Sequence, residues 1–396
     1  MSLSSAEKHI ESGITLEAEN LLGGDAGIQH LVDISLLPDG AGEQGTIRAA
    51  HRWYEHLIAL WAPGVIEAAH DLGMFRVLAE GPLTSAEVAA ACGTDMRATR
   101  VLLDALYAYE LIDRTSGLDD TAIYIFPEDA HGCLLPGGIY SLSGKIAYDR
   151  SLAWAAWRGL TQAVRTGSHT ENGSDRLNQI SEAEYEQLVQ GINFWAPPVV
   201  SILAEALERQ GWSAAKKPYR MLDVGCGTGL YGQLLARRIS SVSVTGIDVE
   251  RILSIANAQA ESLGVEDRFL GVALDFQNEC WGEGFDLVFL ANIFHLQTPD
   301  SASQLARKAA AAIAPDGIVA IADHIIVDDF RGQSTQDRFF RLFAASMLAS
   351  GGGDAYRLQD YDTWLAAAGL KRIALFDAPM HRILLATPVT SSSNYS

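Results

Sequence analysis

The run Met221-Leu222-Asp223-Val224-Gly225-Cys226-Gly227-Thr228-Gly229 constrains the fold of this chain more than any other segment. An apolar strand enters three alternating glycines, and a helical segment, Leu230 to Ile239, follows at once. Glycines remove Cβ atoms where a ligand must lie against the backbone, and the helix N-terminus adds free N–H groups. A tight turn alone needs one glycine rather than three. A second strand, Val242 to Ile247, ends in Asp248. A carboxylate at that tip suits a bidentate grip on two ribose hydroxyls. Together these features predict a nucleoside-type cofactor at the carboxyl edge of a parallel sheet.

Gly227-x-Gly229-x-x-Gly232 matches the dinucleotide spacing literally. It begins two residues too late after the strand, however, and nothing else favours a pyrophosphate. With Asp223 inside the strand, followed by Gly225, Gly227 and Gly229, the segment resembles motif I of the class I S-adenosylmethionine (SAM) methyltransferases. The resemblance implies that the glycine loop lies against the amino-acid end of SAM and that Asp248 holds the ribose.

The 396 residues suffice for two or three domains, and 48% hydrophobic content makes the chain globular. A formal charge of −20 disfavours nucleic acid and anionic membrane surfaces as partners. No run of about 18 apolar residues suggests a membrane span. The first residues show no secretory pattern, so a cytoplasmic location is expected. Cys92, Cys133, Cys226 and Cys280 have neither metal nor disulfide spacing, and no metal is expected.

Residues 1–47 read as a weakly patterned extension. From 48 to 145 the pattern is that of a winged helix. Trp53, Leu57, Leu60 and Trp61 fall at helical spacing, Thr84-x-x-Glu87 forms a capping box, and Arg97 to Glu110 is a helix with Val101, Leu102, Ala105, Leu106 and Tyr109 on one face. Leu111 to Phe126 then reads as strand, turn (Thr115 to Asp120) and strand. The helix carries Arg97 and Arg100 but also Asp104 and Glu110, not the basic stripe of a DNA reader. The segment Gly64 to Phe75, followed by Gly81-Pro82-Leu83-Thr84, resembles the N-terminal dimerisation domain of small-molecule O-methyltransferases. That resemblance implies a homodimer whose winged helix also closes over a small-molecule substrate.

Residues 146–210 form an aromatic helical region interrupted by a polar loop, Thr166 to Asp175. Trp154, Phe194 and Trp195 are its pocket candidates, beside the plainer reading of ordinary core packing. Residues 211–390 alternate strand and helix, with strands at Met221–Val224, Val242–Ile247, Arg268–Ala273, Phe285–Leu290, Ile318–Ala322, Lys371–Phe376 and His381–Ala386. The expected fold is α/β: a doubly wound, seven-stranded Rossmann-like methyltransferase sheet, its last strand inserted antiparallel, behind a mostly α winged-helix dimerisation domain.

Methyl transfer is an in-line displacement with a neutral leaving group. It needs orientation, and a base when the acceptor is a weakly acidic hydroxyl. After the third strand, Asp275-Phe276 resembles the family's adenine-binding pair; a helix cap or loop carboxylate is the plainer reading of Asp275. After the fourth strand comes Ala291-Asn292-Ile293-Phe294-His295-Leu296. Asn292 is assigned to the cofactor, and His295 aligns with the family's general base. An imidazole titrates near neutrality, as that task requires. A structural, cofactor-adjacent histidine is the alternative. The chain departs from the family pattern at Leu296, where an Asp follows the base, and at Gln297, where a Trp stands. Asp354 is an approximate stand-in for the carboxylate that orients the base. His324, just past the fifth strand, joins the pocket candidates.

The expected activity is SAM-dependent methylation of a small aromatic or conjugated metabolite of secondary metabolism, at a hydroxyl oxygen. Carbon methylation is the close alternative, and a non-methylating, cyclase-like use of SAM is a third. A ligand-responsive winged-helix interaction protein would have no need of Asp223, the glycine loop and Asp248 together.

Overall fold

A computed structural model describes residues 31–37, 39–117, 121–167, 182–212, 217–327, 334–350 and 353–389. Most of the expected extension, the tip of the Thr115–Asp120 turn and most of the Thr166–Asp175 loop lie outside the described residues. The chain divides into two compact units, Met1–Ile66 and Glu67–Ser396. In the first, helix α1 (Glu43–Ile58) places Trp53 and Leu57 one turn apart, yet they are 73% and 70% exposed. Their helical spacing is correct, but among the described residues that face has no cover. Helix α2 (Trp61–Asp71) carries the chain into the second unit.

The winged-helix elements follow: α3 (Met74–Leu78), β1 (Leu83–Thr84), α4 (Ser85–Cys92), α5 (Met96–Ala108), β2 (Asp113–Ser116) and β3 (Ala122–Ile125). The three strands pair antiparallel in the order β1-β3-β2. The capping box forms as the sequence predicts. Glu87 N donates to Thr84 Oγ1, and Thr84 N donates to Glu87 Oε2. The buried face of α5 is Thr99, Leu103 and Leu106, an i, i+4, i+7 row. It is rotated from the expected face, on which Val101 is 47% exposed.

The large sheet has seven strands: β4 (Tyr219–Val224), β5 (Val242–Asp248), β6 (Phe269–Ala273), β7 (Phe285–Ala291), β8 (Ile313–Asp323), β9 (Leu370–Ala378) and β10 (His381–Pro388). Their order is β6-β5-β4-β7-β8-β10-β9, parallel throughout except β10, which runs antiparallel between β8 and β9. Strand alternation feeds two cores. Leu287, Phe289, Ile318 and Ala320 pack with the helices Ala196–Arg209 and Leu230–Arg238, whereas Val288, Leu290, Val319 and Ile321 pack with Pro299–Ala312 and Leu358–Ala367. The chain winds outward from β4 in one direction and from β7 in the other. The carboxyl ends of β4 and β7 therefore open a crevice at the switch point. Among the described residues, no helix is long and apolar enough to cross a membrane.

Candidate functional site

The glycine loop leaves β4 with Gly225, Gly227 and Gly229 all in the left-handed region, at φ 62°, 55° and 74°. No β-branched or bulky residue adopts that sequence of angles without strain. A Cβ on Gly225 would stand 2.5 Å from Ile293 Cδ1, and one on Gly229 would stand 2.8 Å from the Phe269 ring. A Cβ on Gly227 would meet only Val189 Cβ, at 4.0 Å, so that stretch of backbone has room for a ligand. Gly232 lets the following helix close on β5, since a Cβ there would meet Val244 at 2.6 Å. Its place in the literal dinucleotide spacing thus reflects packing.

Asp248, at the tip of β5, accepts from Gly227 N at 2.9 Å and from Val249 N at 2.7 Å. Burial pushes its carboxyl up against the pull of those two bonds. Each oxygen keeps a lone pair for a hydroxyl. Asp223 is buried beneath the loop and accepts from Gly232 N at 3.1 Å. Burial raises its carboxyl to about 8, and in this structure it braces the helix start. Thr228 Oγ1 donates to Asn193 Oδ1 at 2.6 Å, and Gln259 Nε2 donates to Thr228 O at 2.9 Å. The loop is thereby tied to the helical linker through buried amides that no sequence motif announces.

Asp275 accepts from Asn278 Nδ2 at 2.7 Å and Gln277 N at 2.9 Å, which hold its carboxyl below the usual value. Phe276 lies beside the loop, 3.6 Å from where a Gly225 Cβ would be. Asn292 sits at φ 58°, a left-handed angle that Asn tolerates. Its Nδ2 donates to Tyr231 OH at 3.0 Å, and its Oδ1 lies 2.7 Å from His381 Nε2. Both ends of this side chain are engaged within the protein.

His295 follows on the short turn Phe294–Leu296. Its Nδ1 lies 2.8 Å from Asp323 Oδ1, and Asp323 Oδ2 accepts from Phe294 N at 2.9 Å and His295 N at 3.2 Å. Burial pushes the Asp323 carboxyl up, but the bond and charge of His295 outweigh it and hold the group well below its ordinary value. An ionised carboxylate at Nδ1 fixes the tautomer with the proton there, leaving Nε2 as the basic nitrogen. The orienting carboxylate is therefore Asp323, at the end of β8. Asp354 does not take that place: its N donates to His295 O at 3.0 Å, and its carboxylate accepts from Ala355 N.

Trp195 and Phe194 meet edge to face at 5.9 Å, and Trp195 lies 5.7 Å from His324 and 5.3 Å from His381 between ring centres. His324 stacks on His295 at 5.2 Å and is edged by Phe343 at 3.8 Å. Trp154 is engaged elsewhere, its Nε1 donating to Glu67 Oε1 at 2.7 Å. Burial pushes both His324 and His381 below the normal imidazole range, His381 to about 4. Among the described residues, no group of three His, Cys, Asp or Glu is arranged to hold a metal.

These buried imidazoles make a pH prediction. An unfolded histidine takes up its proton near pH 6.5, whereas His381 in the fold waits until about 4. Acidification through that window therefore costs stability, and stability rises again with pH. His381→Gln should reduce the acid slope of unfolding free energy by up to about 1.4 kcal/mol per pH unit. Urea titrations of both proteins across the window would measure it, and parallel curves would contradict it.

Residues 221–317 match the sequence family described as Methyltransferase domain, and residues 54–125 match that described as O-methyltransferase dimerisation domain. The chain is 26% identical over 317 residues to 3-hydroxy-5-methyl-1-naphthoate 3-O-methyltransferase of Streptomyces sahachiroi, covering 79% of this chain and 87% of that protein. It is 26% identical over 289 residues to bacteriochlorophyllide d C-20 methyltransferase of Chlorobaculum tepidum, covering 70% and 80%. The solved structure of human N-acetylserotonin methyltransferase with SAM superposes with a TM-score of 0.73 at 22% identity, covering 89% of this chain and all of that one.

Proposed function

The chain is a SAM-dependent methyltransferase with an O-methyltransferase dimerisation domain, and we propose that it methylates a hydroxyl of a small aromatic metabolite, with His295 as the base and Asp323 as its positioning residue. The observation that carries this reading is the 2.8 Å contact between His295 Nδ1 and Asp323 at the carboxyl edge of the sheet. A base held with Nε2 free, at the switch-point crevice, suits proton removal from a phenol.

The open backbone at Gly227, the Gly225–Gly229 row and Asp248 fit the amino-acid and ribose parts of SAM, and Phe276 fits the side of its adenine. SAM, when bound, supplies a methyl group on a cationic sulfur. His295 Nε2 removes the acceptor's proton, and Asp323 stabilises the imidazolium that results. The aromatic walls of Trp195, Phe339 and Phe343 hold the ring and exclude water. Two chains pair through the dimerisation domain, and the bare row of Trp53 and Leu57 suits that contact. Nucleic acid has no part in this reading, because Arg100 and Arg114 both pair with Asp104.

Asp248→Ala is expected to weaken SAM binding by about 1.5–3 kcal/mol, the scale of lost hydrogen bonds to a charged group. Calorimetry measures it directly, and unchanged affinity would sink the ribose assignment. Carbon methylation is the second reading, favoured by the similarity to the C-20 enzyme. The position of the methyl group in the product decides between the two.

A further inference from the structure

Among the described residues, both ring nitrogens of His324 and Nε1 of Trp195 are buried with no partner, in a cluster where His324 also meets the rings of His295 and His381. His324 is fully buried. Its Nδ1 stands 4.0 Å from Asp323 Oδ1, beyond hydrogen-bond reach. The hydrogen bond His324 does make, from its N–H to Asp323 Oδ1 at 2.8 Å, is a main-chain bond that almost any residue would supply. An unpaired buried polar group is costly. A phenylalanine would pack among Phe339, Phe340 and Phe343 without that cost. The fold alone gives no reason for an imidazole here.

We propose that the methyl acceptor carries a second, uncharged oxygen function, a carbonyl or hydroxyl near the hydroxyl that His295 deprotonates, and that His324 and Trp195 receive it. The inference rests on the methyl-acceptor reading above. An indole offers one donor, and a neutral imidazole offers one donor and one acceptor. That set matches an oxygen with two lone pairs, with or without a proton. The His295 and His324 rings lie within 17° of parallel at 5.2 Å, so the two oxygens belong to one edge of the acceptor. Burial and the neighbouring histidines keep His324 uncharged. A carboxylate at this point would set a second negative charge beside the buried Asp323 carboxylate, a cost that an uncharged oxygen avoids.

The test is calorimetry on the full-length protein saturated with S-adenosylhomocysteine, using 2-naphthol, 2,3-dihydroxynaphthalene and 3-hydroxy-2-naphthoate as probes. The diol is expected to bind about tenfold or more tighter than 2-naphthol, the scale of one added hydrogen bond in a buried site. His324→Phe should bring that ratio close to one, His324→Gln should keep part of it, and the carboxylate should show no advantage. The proposal is overturned by a ratio near one in the unaltered protein, by a ratio that survives His324→Phe, or by a preference for the carboxylate. Failure of S-adenosylhomocysteine itself to bind would instead overturn the methyltransferase reading.

Discussion

Asp323→Ala is expected to destabilise the protein by about 3–5 kcal/mol and to remove measurable turnover. The carboxylate is fully buried and accepts from four donors: Phe294 N, His295 N, His295 Nδ1 and His324 N. Alanine leaves all four without a partner in a site closed to water. Asp323→Asn is the sharper variant, because it keeps the shape. Its amide turns a donor towards groups that themselves donate, and the His295 tautomer is no longer fixed. Turnover should fall by roughly 10²–10⁴ with SAM affinity unchanged. The stability deficit has a defined pH dependence. A carboxyl held below its ordinary value stabilises the fold above the unfolded value near pH 3.9 and loses that contribution as pH falls towards the folded one. The deficit of the Asn variant should therefore be full at neutral pH and shrink below about pH 3.9. Chemical unfolding at both ends of that range checks it, and a deficit independent of pH would contradict it.

His295→Ala should lower kcat by about 10²–10⁴ and leave SAM affinity nearly unchanged. The imidazole sits on the turn after β7, and the described contacts place none of its atoms on the glycine loop. Its loss should thus appear in the chemical step. Near-normal turnover with an unaltered pH profile would mean that the acceptor arrives already ionised or enolised, which favours carbon as the methylated atom.

The glycine-loop half of the candidate site is legible in the sequence because its geometry is local. Strand, glycine loop, helix and the acid of the next strand occupy one short stretch, and each glycine there has a backbone or packing reason. The histidine half of the candidate site is only partly legible. The place of His295 after the fourth strand is visible in the sequence, but the family pattern puts its carboxylate partner in the loop of Asp354, whereas the fold supplies Asp323. Asp323 directly precedes His324. What brings it to His295 is the parallel register of β7 and β8, Ala291 opposite Ala322, and no linear spacing encodes that. His381 was hidden for the same reason. It reaches the cluster because β10 is inserted antiparallel, with Arg382 opposite Asp323. Phe339, Phe340 and Phe343 lie on the helix Thr335–Ser350, which the sequence pattern did not single out. On α1 the difficulty ran the other way. Trp53 and Leu57 have the spacing of core residues, and only the structure shows that the described residues leave them exposed.

Single-turnover transfer of an isotopically labelled methyl group from SAM to 2,3-dihydroxynaphthalene, followed by NMR of the product, tests the central claim most directly. The account predicts the label on oxygen, formed at least about a hundredfold more slowly by His295→Ala at equal SAM occupancy. Label on a ring carbon, or equal rates for the two proteins, would contradict it.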